Sequence, residues 1–348
     1  MRATYDEHRA KVDAIRDYIK VLRGIADLPG QYPEESSAQA LKVFVRVPQK
    51  RIYDYSLVII TLYGIFESFV EKMMCAYLNA LRSQVHTYAA LPDSLQKNHI
   101  ELSTKLLGTN STKYGEIKPS DIIANLHSCL NQSGDSYQLN IEAFRQHTAN
   151  FRQDALRDFF NQVGAYNIQQ YITNNPQLTG FIRTSMGEEE SEEGLPVTKY
   201  FEMLQDLVER RNVVAHGSEV DDLLSFDLLD QYAEYIALLL SPIYEALLYN
   251  FYSILVDTNS VTVLGTPINV FNNSIVCINS ANNSIKIGDI IISKNGDGDL
   301  NWGSIQSIKI EDASVDEVDP GQAVDIGMAV SFKAKKNFTY FLYPGGNP

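Results

Sequence analysis

Cysteine is scarce in this chain. Cys75, Cys129 and Cys277 are the whole complement, and their spacing matches neither a metal knuckle nor a CxxC pair. That excludes a disulfide framework and a zinc ribbon. An odd thiol count behind an N-terminus without an apolar leader, Met1-Arg2-Ala3-Thr4-Tyr5-Asp6-Glu7, predicts reduced thiols and a cytoplasmic protein. Positive charge is also in deficit: 29 Lys and Arg against 43 Asp and Glu give a formal net charge of -14. Such a balance keeps a protein soluble and excludes broad coating of nucleic acid, though a local cationic site on an acidic body stays open.

Familiar catalytic fingerprints are missing too. There is no HExxH, no GxSxG elbow, no GxGxxG turn and no Walker loop. Asp297, Asp299 and Asn301 imitate the start of a calcium loop, but Trp302 stands where glycine is needed and Ile308 where the closing glutamate belongs. No cofactor and no metal is expected. Of the two apolar runs, 57–66 is too short to span a bilayer. The other, 236–255, is interrupted by Pro242, Glu245 and Asn250, so a buried helix rather than a membrane segment is expected.

What is present is enough apolar material, 45% of 348 residues, for a sizeable core in two domains. Val12, Ile15, Ile19, Leu22 and Ile25 recur at helical steps, and Leu28-Pro29-Gly30 should stop that helix. A longer helix over about 53–81 carries Ile60, Tyr63, Phe66, Val70, Met73, Tyr77 and Leu81 as a core stripe. Shorter helices are expected between 83 and 196, and the glutamate-rich block at 188–194 reads as a loop. Thr198 should cap a helix running through Leu204 and Leu207 to His216. A last helix should start near Ser225, and Pro242 should kink or split it. From Asp257 the texture changes to short β-type runs separated by Asn, Gly and Asp, the pattern of a small antiparallel barrel or sandwich. The fold class expected is therefore α+β by segregated domains: an all-α helical bundle over 1–256, then a small antiparallel β-barrel over 257–348.

The chemistry-bearing stretch is Glu209-Arg210-Arg211-Asn212-Val213-Val214-Ala215-His216-Gly217. A guanidinium is a rigid fork of donors for phosphate, and an imidazole moves protons near neutral pH. Together they can cleave RNA without a metal, one holding the scissile phosphate and the other moving a proton of the 2′-hydroxyl or of the leaving oxygen. Arg211 and His216 lie five apart, about 140° around a helix, so they do not share a face. Asn212 and His216 do, and Asn212 could hold the imidazole ring. A second copy facing the first would bring Arg211 in more easily. Arg210 adds local positive charge. By residue type and spacing alone the motif is weak, and a helix-ending histidine with two solvated arginines is the better account of the stretch.

Arg-Asn-x-x-Ala-His-Gly, between two amphipathic helices, resembles the signature of the HEPN superfamily, the higher eukaryotes and prokaryotes nucleotide-binding domain. Tyr63-Gly64-Ile65-Phe66-Glu67-Ser68-Phe69 is similar to the early helix of bacterial HEPN-like ribonucleases, and Asn150-Phe151-Arg152 to their middle segment. The likeness covers about 1–255 and is sharpest at 207–217. It implies a helical domain that forms a homodimer, with the two Arg/His motifs lining one cleft. It further implies endoribonuclease cleavage of RNA to 2′,3′-cyclic phosphate ends, in antiphage defence or as a toxin. By this likeness Arg211, Asn212 and His216 are the catalytic candidates, with Glu67 and Arg210 as additional ones. Some toxin members carry a modifiable tyrosine two residues past the histidine; Ser218 stands there.

The tail has its own likeness. Ile287-Gly288-Asp289-Ile290-Ile291-Ile292, Ile305-Gln306-Ser307-Ile308-Lys309-Ile310 and Val318-Asp319-Pro320-Gly321-Gln322-Ala323-Val324 resemble the second-domain barrel of translational GTPases. That implies a recognition module for ribosome, tRNA or a phage-derived ligand. The rival reading of the whole chain is a catalytically silent HEPN module that binds RNA or a partner protein, with the barrel as adaptor. A purely structural dimer is a third.

Overall fold

A computed structural model describes residues 1–31, 49–109, 111–112, 115–131, 137–187, 194–217, 222–280, 283–319 and 324–348. The glutamates at 188–193, Ser218 and the Pro-Gly-Gln-Ala of the tail motif at 320–323 lie outside them. The chain divides into two compact units. One comprises Met1–Leu78, Lys97–Ile123 and Asn140–Leu247; the other comprises Asn79–Gln96, Ala124–Leu139 and Leu248–Pro348.

The helical order is α1 (Arg2–Gln31), α2 (Lys50–Gln84), α3 (Asp93–Thr109), α4 (Pro119–Leu130), α5 (Ile141–Arg145), α6 (Gln153–Asn161), α7 (Ile168–Thr173), α8 (Pro176–Met186), α9 (Glu202–Ala215) and α10 (Phe226–Asp257). Helical periodicity explains the long members. On α2, Tyr63, Phe66, Val70, Met73, Tyr77 and Leu81 are all buried, as the stripe predicts. Ile60 is the exception at 45% exposed. With Tyr53, Leu57 and Gly64 it forms a second, outward face at 4-3-4 spacing. Helix α1 ends at Gln31, one residue beyond the expected Pro-Gly stop. Helix α10 begins where expected, with Ser225 Oγ accepting from the amide of Leu228 at 3.2 Å. It keeps Pro242 inside one continuous helix. Leu239, Leu240 and Ile243 around that proline are fully buried, so packing offsets the missing backbone bond. By length and composition α10 could cross a membrane, yet 67% of its apolar window is buried inside the protein.

In the second unit an antiparallel sheet follows the helix. Its strands are β3 (Thr262–Gly265), β4 (Asn269–Phe271), β5 (Ile275–Asn279), β7 (Ile290–Lys294), β8 (Leu300–Ile310), β9 (Ala313–Val315), β11 (Asp325–Val330) and β12 (Thr339–Tyr343). Two short ladders are separate from that sheet, β1 (Ser111–Thr112) with β2 (Gly115–Glu116) in the first unit, and β6 (Ile285–Lys286) with β10 (Glu317–Val318) in the second. The main order is β3-β12-β7-β8-β11-β5-β4, with β9 on β8. Val276, Ile278, Ile291, Ile308 and Met328 alternate inward to make its core. The expected closed barrel is not formed. Sequence neighbours β3 and β4 occupy opposite edges of the sheet, and no ladder joins them among the described residues. Only Thr266, Pro267 and Ile268 separate them, so the edges stand no more than about 14 Å apart. The sheet is an open half-barrel with a seam at Pro267, whose missing N–H removes a ladder donor there.

Candidate functional site

Helix α9 positions the motif through its own packing. Leu204, Leu207 and Val208 are fully buried. Arg211 and Asn212 continue that stripe and are half-buried at its end, while Val213, Ala215 and His216 face solvent. The expected helix start at Thr198 is instead a 3-10 turn, Val197–Phe201, leading into α9. The amide of His216 donates to the Asn212 carbonyl at 3.0 Å and closes the last helical turn. Gly217 follows at φ 68, a left-handed position that a side chain would strain. Among the described residues the His216 ring has no hydrogen-bond or ion-pair partner, so it is free to meet a ligand.

Arg211 and Asn212 are held by a directional chain of bonds. The amide of Phe151 donates to the Tyr63 hydroxyl at 3.0 Å, and that hydroxyl donates to Asn150 Oδ1 at 3.3 Å. Asn150 Nδ2 then donates to Asn212 Oδ1 at 3.0 Å, and Arg211 Nη1 donates to the same oxygen at 3.2 Å. The guanidinium carbon of Arg211 also lies 5.4 Å from the centre of the Tyr63 ring, in range of a cation–π contact. The carboxamide of Asn212 thus serves Arg211 and Asn150 rather than the ring of His216. With both lone pairs of its oxygen taken, it turns its NH2 away from them. Beside it opens a cleft of about 490 Å³ lined by Ala149, Asn150, Arg152, Gln153, Asp154, Ala155, Gln205 and Asn212.

Arg210 has a different job. It bonds Asp206 at 2.6 Å, the Tyr55 hydroxyl at 3.1 Å, and the carboxylate and carbonyl of Asp222 at 2.9 and 3.0 Å. Tyr232 donates to Asp206 in the same network. Burial lowers the pKa of Arg210, but the bonds to Tyr55, Asp206 and Asp222 outweigh it and raise it. The side chain is committed to holding α9 in place.

Glu67 belongs to a cluster that the sequence did not reveal. The ligand-capable atoms of Glu67, Glu71 and His147 lie within 4.8 Å of one another. His147 Nε2 is 2.7 Å from Glu71 Oε1 and 3.7 Å from Glu67 Oε1, while its Nδ1 donates to the Ala149 carbonyl at 3.0 Å. Both ring nitrogens therefore face oxygens, an arrangement that favours an imidazolium. Burial works against that charge, but the bonds to Glu71 and Ala149 and the charges of both glutamates prevail, and the pKa is raised. The donor set suits a divalent cation. Arg145, however, stands 3.7 Å from the second oxygen of Glu71, and the imidazolium already meets both carboxylates. His147 also ties down the segment that carries Asn150. Glu67 and Glu71 share a helix face at four-residue spacing, but His147 reaches them only through the tertiary fold. Tyr63 and Asn150 do lie in the segments whose likeness to HEPN nucleases is visible in the sequence.

Comparison with curated proteins and with solved structures finds no match. A family model, RiboL-PSP-HEPN, matches residues 15–249, more than half of the chain and the whole of the stretch that builds this site. With helices, motif and match all falling on one stretch, the chain belongs to the RiboL-PSP-HEPN family.

Proposed function

We propose that this protein is an endoribonuclease that cleaves RNA by internal transesterification. The 2′-oxygen attacks the adjacent phosphorus, the bond to the 5′-oxygen breaks, and 2′,3′-cyclic phosphate and 5′-hydroxyl ends result. His216 moves the proton, Arg211 neutralises the phosphate oxygens, and Asn212 holds Arg211 in place. One observation carries this reading. A guanidinium oriented by Asn212 and Tyr63 sits beside an open polar cleft, and an exposed imidazole ends the same helix. HEPN domains are often ribonucleases or RNA binders, which favours the same substrate.

The active form in this reading is a homodimer. Arg211 and His216 point about 140° apart on α9, so one copy does not bring them together. The outward apolar face of α2, Tyr53, Leu57 and Ile60 with the uncrowded Gly64, is a surface a second copy would cover. The half-barrel acts as a recognition module for ribosome, tRNA or a phage-derived ligand, and the setting is antiphage defence or toxicity in the cytoplasm.

The test is incubation of the purified protein with total RNA in chelator, followed by mapping of cyclic-phosphate ends. Cleavage that disappears in Arg211→Ala and in His216→Ala supports the reading. Binding without cleavage would instead make it a silent HEPN module. The Glu67, Glu71 and His147 cluster supports a second reading: cleavage that needs a divalent ion and is lost in Glu71→Gln would make the reaction metal-assisted.

A further inference from the structure

The cleft beside Asn212 has a composition that the cleavage chemistry alone does not require. Its polar lining is four carboxamides, Asn150, Gln153, Gln205 and Asn212, with one cation, Arg152, and one carboxylate, Asp154, and its apolar lining is alanine alone. No aliphatic ligand is served by such walls, and about 490 Å³ is far more than a lone anion fills.

The spacing and the polarity of the lining are both directional. Gln205 and Asn212 are seven residues apart on α9, which puts them on one face and about 10.5 Å apart along the axis. That matches the reach of a mononucleotide from phosphate to base. At the Asn212 end, the carboxamide oxygen is taken by Asn150 and Arg211, so NH2 donors and a nearby cation remain, which suits a phosphate. At the other end, Gln205 uses its NH2 on Glu209 at 3.2 Å and keeps its carbonyl oxygen as an acceptor. Gln153 has no hydrogen-bond partner among the described residues, so its adjacent donor and acceptor are both available. A carboxamide's paired donor and acceptor match the edge of an unstacked base, the usual target of sequence-specific RNA recognition.

The geometry points to a single-nucleotide pocket. It holds one ribonucleotide next to the scissile bond, phosphate toward Asn212 and Arg211, base against Gln153 and Gln205, so that cleavage selects among bases. This rests on the ribonuclease reading, and the test has a cleavage arm and a binding arm that can fail separately.

In the cleavage arm, a pool of RNA with randomised sequence is cut and the ends are sequenced. The native protein should favour one base beside the cut by about tenfold, the discrimination a good paired contact gives. In Gln153→Ala with Gln205→Ala the four rates should converge. Base-blind cutting by the native protein, or a preference that survives the double change, overturns the pocket and leaves the nuclease. In the binding arm, His216→Ala protein is titrated with 2′-O-methyl oligonucleotides, which cannot be cut. Base-selective binding that the two glutamine changes erase upholds the pocket even if no RNA is ever cleaved. No selective binding and no cleavage overturns both. Should the double change lower the unfolding temperature, Gln153→Glu and Gln205→Glu, made singly, repeat both arms with the same expected loss of selectivity.

Discussion

Asn150 and Asn212, sixty-two residues apart in the chain, are joined by a 3.0 Å bond from Nδ2 to Oδ1. That bond fixes which way the Asn212 carboxamide faces, and Asn212 in turn accepts from Arg211. The orientation of the Arg211 guanidinium, the proposed phosphate binder, therefore depends on a loop residue far from the motif in sequence.

Asn150→Ala should cut RNA cleavage by about tenfold to a hundredfold, because small misplacement of a positioning group costs that much. Tyr63→Phe removes only the hydroxyl end of the chain and should cost less. Each change breaks two bonds of the chain and should cost about 1–3 kcal/mol of stability. Steady-state cleavage of a fluorogenic oligonucleotide, beside thermal melts, checks both. A rate unaffected by Asn150→Ala removes that residue from the site.

Neighbouring arginines should behave oppositely. Arg210→Ala strands Asp206 in a half-buried network and should cost about 2–3 kcal/mol in urea unfolding. Arg211→Ala should leave the urea midpoint near native and abolish cleavage. Equal effects of the two changes on stability would contradict this division of labour.

The distance between what the sequence displays and what the fold decides is clear in this pair. Both arginines lie on a recognisable amphipathic helix, and Asp206 is visibly one turn before Arg210. Tyr55 and Asp222, which fully occupy Arg210, come from elsewhere in the chain, and no local spacing announces them. The same holds for His147 against Glu67 and Glu71. Helices α2, α9 and α10 were legible because burial imposes a 3.6-residue period over many turns. The strands were legible from alternation and turn residues. The openness of the sheet was not, because closure depends on whether β3 and β4 meet, and neither strand's own residues encode that.

Two histidines, His99 buried and His147 only partly so, should shift stability with pH in opposite senses. His99 is fully buried and its Nε2 accepts from the amide of Asn140 at 2.9 Å; burial pushes its pKa down to about 4. Its contribution is complete above the unfolded value of about 6.5 and is lost as pH falls toward 4, by about 3 kcal/mol in all. His147, with its raised pKa, contributes fully below the unfolded value and loses that contribution as pH rises through the folded one. Urea unfolding across pH should show the acid slope diminish in His99→Gln and the alkaline slope diminish in His147→Gln. An unchanged acid slope in His99→Gln assigns the loss to other groups.

Mixing two inactive variants tests the shared cleft. If each site takes Arg211 from one copy and His216 from the other, co-refolded Arg211→Ala and His216→Ala chains should regain about a quarter of native activity. Half of the dimers would be mixed, each with one intact site. Ile60→Asp, on the outward face of α2, should shift the protein toward monomer in sedimentation and abolish cleavage. No recovery in the mixture would place both groups in one copy.

The seam beside Pro267 sets how the half-barrel comes apart. A closed cylinder has no free end at which backbone pairing starts to fail, whereas this sheet has two, the four-residue β3 and the three-residue β4. Fraying begins at those margins and spreads toward β7 and β8, which are paired along five residues each and lie deepest in the order. Amide protons should exchange with solvent in that sequence, and the long β8 strand is the last place where water gets in.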